Sequence, residues 1–296
     1  MSDKSTVNIG NSGEYFVAGE LERRGFTVAV PMSNVKDFDI LAIHRETYRQ
    51  LAIQVKTTGY KQKKWTLNKK NENLMGDNIF YVFVSLNELD APEYHIVPSK
   101  IVAETIKTFH QNWLDTPGKD GKTHNDTNIR VFRDDEDWYL DKWELLEMEK
   151  IDDNKLLKGT YASLVSFITR LKGIEYAKLQ PEQQTGDGSM ELPFQMPYYE
   201  YSVEVREFEK EVYKFEREHP EFWLNRYVDV MLLYGLKWDQ DTMVNADVSC
   251  LNGQAIMSLL LGAIRAERFC DGALNHFLKE GCIEKWLLRL KEIEGM

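Results

Sequence analysis

The run Ile79–Leu86, IFYVFVSL, is continuously apolar, β-branched and aromatic. Such a strand is buried on both faces, because a half-exposed strand would alternate apolar with polar residues. A chain that contains it must place covering layers above and below a sheet, which points to a layered α/β arrangement. The flanking sequence supplies the parts. Residues 11–24 carry apolar positions at helical spacing and stop at Gly25, a C-terminal cap. Three β-rich segments follow, Phe26–Val30, Phe38–Ile43 and Leu51–Val55, the last two joined by the short polar link RETYRQ of a hairpin. His95–Val97 reads as another strand and Ser99 to His110 as a helix. A Gly-, Asp- and Thr-rich loop at 115–128 then leads to a short strand at Ile129–Phe132. The acidic segment Asp134–Glu149, with Trp138 and Trp143, closes this unit.

From Lys155 onward the period becomes helical, with Leu157, Tyr161, Leu164, Val165, Ile168 and Leu171 on one stripe. A second loop runs from Pro181 to Pro197, and helices are predicted near 201–218, 222–234, 252–269 and 282–293. The expectation is two domains: an α/β domain at 1–150, with a mixed central sheet flanked by helices, and an all-α domain at 151–296. A chain of 296 residues with 43% hydrophobic and 12% aromatic content has material for two cores.

A net charge of −11 argues against a protein that coats nucleic acid with its whole surface, but leaves room for a local basic groove. The N-terminus shows no secretory pattern, and the longest apolar run, Ala255–Ile264, is too short to cross a bilayer. Cys250, Cys270 and Cys282 lack CxxC spacing, and six scattered histidines give no zinc pattern. Reduced, buried structural thiols in a cytoplasmic protein are expected.

The predicted hairpin carries chemistry. Asp39 sits inside the apolar strand FDILAI, where an unpaired carboxylate is costly. The partner strand reads LAIQVK, and alternation puts Gln54 and Lys56 on the face opposite Leu51, Ile53 and Val55. On the preceding helix, Glu14 shares the apolar stripe with Val17, Ala18 and Leu21, whereas Glu20 can pair with Arg23 and Arg24 on the surface. Asp37 competes with Asp39, since both would share one strand face. Each feature alone has an ordinary reading: a strand-end lysine, or a glutamate favoured by a helix dipole.

In order, Glu14, Gly25-Phe26, D-I-L-A and I-Q-V-K-T-T resemble the PD-(D/E)XK nucleases, nearest the archaeal Holliday-junction resolvase and Mrr-like restriction branches. The resemblance extends over the first half of the chain, through Trp65–Leu67 and the YVFV strand. It implies a restriction-endonuclease-like fold and an Mg²⁺- (or Mn²⁺-) dependent endonuclease acting on double-stranded or branched DNA, in restriction, phage defence or repair. It also implies a site of Glu14, Asp39, Gln54 and Lys56, with Glu14, Asp39 and Gln54 holding the metal. Gln54 stands where the family usually has an acid, which leaves one negative charge fewer. A nuclease fold that binds without cutting, and a ribonuclease, are the competing readings.

Between Thr47 and Asn71 there is no Asp or Glu, while Arg49, Lys56, Lys61, Lys63, Lys64, Lys69 and Lys70 occur with Tyr60 and Trp65 interleaved. Such a patch suits phosphates, with aromatics to stack on bases; the alternative is a solvated lysine loop with Trp65 in the core. In the helical half, Ala263–Leu274 (AIRAERFCDGAL) resembles a bacterial domain of unknown function with an R-x-E-R-F-x-x-G core. Met196–Tyr198 and Tyr227–Asp229 are similar to that domain's other segments. Arg265, Glu267, Arg268 and Asp271 form either an anion or partner site or, favoured, an ion-pair network that fixes helices. That half would recognise DNA, a partner, or a second copy of the chain as a homodimer.

Overall fold

The computed structural model describes residues 6–31, 38–118, 121–181, 189 and 196–295, so Asp37 and most of the loop at 181–197 lie outside the described residues. The chain divides into two compact units, Met1–Met148 and Glu149–Met296.

The first unit runs α1 (Thr6–Arg23), β1 (Phe26–Ala29), β2 (Ile40–His44), β3 (Gln50–Thr58), β4 (Lys64–Asn68), β5 (Ile79–Ser85), β6 (Glu93–Pro98), α2 (Ser99–Asp115) and β7 (Ile129–Arg133). Five strands make a sheet in the order β1-β2-β3-β5-β6. It is mixed: β3 and β5 run parallel, and the other neighbours are antiparallel. A parallel pair cannot be joined by a tight turn, and the chain between β3 and β5 detours through β4. Strand β5 is buried from Phe80 to Ser85, as its sequence demands.

One sheet face is covered by α1, through buried Val17 and Leu21. Gly13 sets how closely that helix approaches, since a Cβ built there would fall 1.9 Å from Thr57 Oγ1. Gly13→Ala is therefore expected to destabilise the unit by about 1–3 kcal/mol through overpacking. Thr57→Ala should restore most of that loss, because Thr57 Oγ1 is buried without a hydrogen-bond partner among the described residues. Chemical denaturation of the two single variants and the double variant measures the coupling; additive effects would refute this steric account.

The opposite face carries a two-stranded antiparallel ladder of β4 and β7. Phe83 of β5 stacks on Phe132 of β7 at 4.4 Å, and Trp65 of β4 lies 5.0 Å from Phe83. The stretch KWTLN reads poorly as a strand because three of its five residues are polar and exposed, yet its burial alternates strictly.

The second unit contains α3 (Ala162–Val165), α4 (Phe167–Arg170), β8 (Ala177–Gln180), β9 (Tyr198–Tyr201), α5 (Val203–Glu218), α6 (Tyr227–Leu233), α7 (Gln240–Asn245), α8 (Gly253–Ala266), α9 (Ala273–Lys279) and α10 (Cys282–Glu294). Its core is built around α8, which is buried at every position from Gly253 to Ile264. The unit is helical but not all-α, since β8 and β9 form a short antiparallel ladder. The stripe beginning at Leu157 is broken: Leu157 is 85% exposed, and a left-handed Gly159 separates it from two one-turn helices. The expectation of buried thiols is met at Cys282 and corrected at Cys250 and Cys270, which are exposed. No described helix is long and apolar enough to cross a membrane.

Candidate active site

Asp39 immediately precedes β2. Its backbone N–H donates to Ile53 O at 2.8 Å, and its Oδ2 accepts the Val55 N–H at 2.8 Å and the Gln54 side-chain amide. The carboxylate thus staples the start of β2 to the middle of β3. Gln54 is 6% exposed, and this hydrogen bond meets the need of a buried amide. Register pairs Gln54 with Tyr81 and Lys56 with Phe83, so alternation turns both side chains toward the β4–β7 side of the sheet.

Glu14 comes from the other side. It follows Gly13, whose contact with Thr57 seats α1 on the opposite face. The helix that carries Glu14 therefore packs on the face opposite the one toward which Gln54 and Lys56 turn, yet the charges of Glu14, Asp39 and Lys56 meet. Burial, and next the charge of Asp39, raise the Glu14 carboxyl above its ordinary value, while Lys56 opposes them. Burial, foremost, and the neighbouring Lys70 lower the Lys56 ammonium, while Asp39 and Glu14 pull it back up. The structure thus brings Glu14, Asp39, Gln54 and Lys56 into one electrostatic neighbourhood and adds Lys70. Among the described residues no group of three or more His, Cys, Asp or Glu could hold a metal ion. The oxygen donors present are two carboxylates and one amide.

The basic stretch divides. Lys61 and Lys64 are exposed and carry no ion pair among the described residues. Lys63 pairs with Asp137, and Lys69 with Asp126 at 2.7 Å. Lys69, followed by His110, holds the Asp126 carboxyl down at about 2. Tyr60 is 68% exposed just beyond β3. Arg49 is committed elsewhere, donating to Leu146 O at 2.8 Å and to Met148 O. Trp65 corrects the expectation of a base-stacking ring. It is 2% exposed, and its Nε1–H donates to Val84 O at 3.0 Å. The alternation of β4 sends it inward with Leu67 and leaves Lys64, Thr66 and Asn68 outside.

In the second unit the Arg/Glu/Asp cluster is occupied by internal bonds. Arg265 pairs with Glu216 at 2.6 Å and lies over the Tyr227 ring. Glu267 accepts the Gly272 and Leu274 N–H groups at 2.8 and 2.9 Å and the Tyr201 hydroxyl at 2.8 Å. Arg268 donates to the Tyr213 hydroxyl at 3.3 Å, and Asp271 accepts the Tyr199 N–H at 3.2 Å. These bonds tie the end of α8 to α5 and β9. The sequence reading missed a cavity beside this cluster, faced by Trp238, Met243 and Phe277. Phe269, which stands between Arg268 and Cys270 in the sequence, is 79% exposed beside it.

Residues 236–295 match a family of unknown function, DUF6508. No curated protein matches the chain. Among solved structures, a bacterial homing endonuclease, I-Ssp6803I, is similar at 17% identity and a TM-score of 0.30, over 48% of this chain and 92% of that one.

Proposed function

We propose that the first unit is a divalent-metal-dependent nuclease of the PD-(D/E)XK type that hydrolyses DNA phosphodiester bonds. One observation carries this reading: Glu14, Asp39 and Lys56, from a helix and two strands, act on one another electrostatically, with Gln54 hydrogen-bonded to Asp39. Neighbouring groups perturbed by burial and by one another are common where chemistry is done.

The donor set suits a hard cation such as Mg²⁺ or Mn²⁺. Asp39 spends Oδ2 on two hydrogen bonds, leaving Oδ1 free of hydrogen bonds among the described residues, and Glu14 is held close to that negative charge. Glu14, Asp39 and the Gln54 amide oxygen would hold the ion. Once bound, it would acidify water and offset charge on the scissile phosphate. Lys56 Nζ then orients the attacking water and offsets negative charge developing on the phosphate oxygens. Lys61 and Lys64 hold the backbone of the nucleic acid, and Lys69 joins them when it leaves Asp126.

The test combines purified full-length protein with Mg²⁺ or Mn²⁺ and linear, branched and supercoiled DNA, with an RNA panel alongside. Cutting by the wild type, lost in Asp39→Asn and Lys56→Ala, supports the enzyme. Equal residual cutting by all three proteins marks contamination and refutes it. Cutting confined to RNA makes the unit a ribonuclease.

A second reading, a binder that does not cut, is favoured by Gln54, whose amide stands where the family's acid would add charge for the metal. Binding is expected in both cases. Lys61→Ala/Lys64→Ala should weaken DNA binding and reduce the slope of log affinity against log salt by about 0.9 for each phosphate left without its lysine. Fluorescence anisotropy over a salt series measures it, and an unchanged slope removes these lysines from the interface.

A further inference from the structure

The segment Phe269–Gly272 forms one wall of a cavity of about 370 Å³ in the second unit, faced by Trp238, Met243 and Phe277. The volume falls in the range of small-ligand sites, roughly 300–1,000 Å³. All of these residues lie within the stretch that matches the family of unknown function. Phe269 is 79% exposed, its ring edge-on to Trp238 at 5.6 Å. A large aromatic left in water at the rim of an apolar recess marks a surface that gains from being covered.

The walls are fixed from behind. Trp238 Nε1–H donates to Gly262 O at 3.1 Å, and its indole meets Tyr227 edge-on at 5.3 Å. Glu267 holds the Gly272 and Leu274 amides. Gly272 takes φ +84°, and a Cβ there would lie 2.5 Å from the Tyr199 ring. On the rim, the Gln240 amide bonds His276 Nε2 at 2.8 Å.

Charge selects the ligand. The lining includes two carboxylates, Asp239 and Asp271, and no lysine or arginine. Asp239 uses both oxygens on Thr242, capping α7 at 2.8 Å each. Asp271 accepts only the Tyr199 N–H among the described residues. An anion would meet uncompensated negative charge here, whereas a cation gains both a carboxylate and aromatic faces.

We propose that this cavity binds an organic amine with an aromatic body, its ring packed against Trp238 and Phe269 and its ammonium directed at Asp271. The inference is independent of the nuclease reading.

The test uses the full chain labelled with ¹³C at its methionine methyl groups, the Met243 signal being assigned through Met243→Leu. The probes are tryptamine, neutral indole and indole-3-propionate. Tryptamine is expected to shift the Met243 methyl saturably and, in a Cys250→Ser background, to slow alkylation of the exposed Cys270. Indole-3-propionate should bind at least about tenfold more weakly, and Asp271→Asn should narrow that gap. Phe269→Ala should weaken tryptamine binding without lowering Tm, because this side chain is mostly in water. Absence of a saturable Met243 shift up to about 10 mM tryptamine overturns the site. Equal binding of the carboxylate overturns the assignment of an amine.

Discussion

On the proposed nuclease reading, replacing Lys56 by methionine is expected to lower the rate of DNA hydrolysis by about 10²–10³-fold, the range seen when one preorganised charge-stabilising group is removed. Tm should stay level or rise. The two expectations have one cause. Burial is the largest influence on Lys56, pulling its ammonium toward the neutral form, and Lys70 adds to it; Asp39 and Glu14 only partly compensate. Methionine keeps most of the length and apolar stem while removing a charge that is costly to desolvate. A residue kept for stability would behave in the opposite way, costing Tm and leaving the rate per folded molecule unchanged. Lys56→Arg should not rescue the rate, because a planar guanidinium differs in shape and in its readiness to lose a proton. Initial rates on supercoiled plasmid with Mg²⁺, beside thermal melts of the same preparations, separate these outcomes. A Lys56→Met protein that cuts at the wild-type rate removes Lys56 from the chemistry.

What could be read from the sequence follows from how locally each feature is determined. Strand β5 is announced by its composition alone, because no exposed strand would carry IFYVFV. The placing of Gln54 and Lys56 on one face needs only the period of two in β3, and the register with β5 agrees. The face from which Glu14 arrives is not a local property. It depends on α1 closing over β3 through the Gly13–Thr57 approach, a meeting of residues far apart in the chain. For the same reason β4 was hidden. Its pairing partner β7 lies some sixty residues later, and its exposed lysines, read as one basic stretch, masked an alternation that includes Trp65 and Leu67. In the second unit the long apolar run of α8 was legible, whereas α7 and α9, of six and seven residues, are too short to establish a helical period. The cavity between them could not be inferred from either.

Trp65→Ala tests the other side of this division and should act on stability, not on recognition. The indole is 2% exposed, packs 5.0 Å from both Phe83 and His95, and donates to Val84 O. Truncation leaves a cavity between β4 and the central sheet and a buried carbonyl without this donor. A loss of about 3–5 kcal/mol is expected, a large share of the roughly 5–15 kcal/mol that holds a typical domain together. Trp65→Phe should cost less, since a ring still fills most of the space and chiefly the hydrogen bond goes, at about 1–3 kcal/mol. Urea denaturation followed by circular dichroism measures both. Had the ring been a platform for a base, its removal would instead weaken nucleic-acid binding by about 1–3 kcal/mol and leave the denaturation midpoint in place. The pattern expected for Lys64→Ala, next door on the exposed side of β4, is the reverse of Trp65→Ala: weaker binding at unchanged stability. Two adjacent residues on one strand would thus separate cleanly, because alternation gives one to the core and the other to whatever the surface meets.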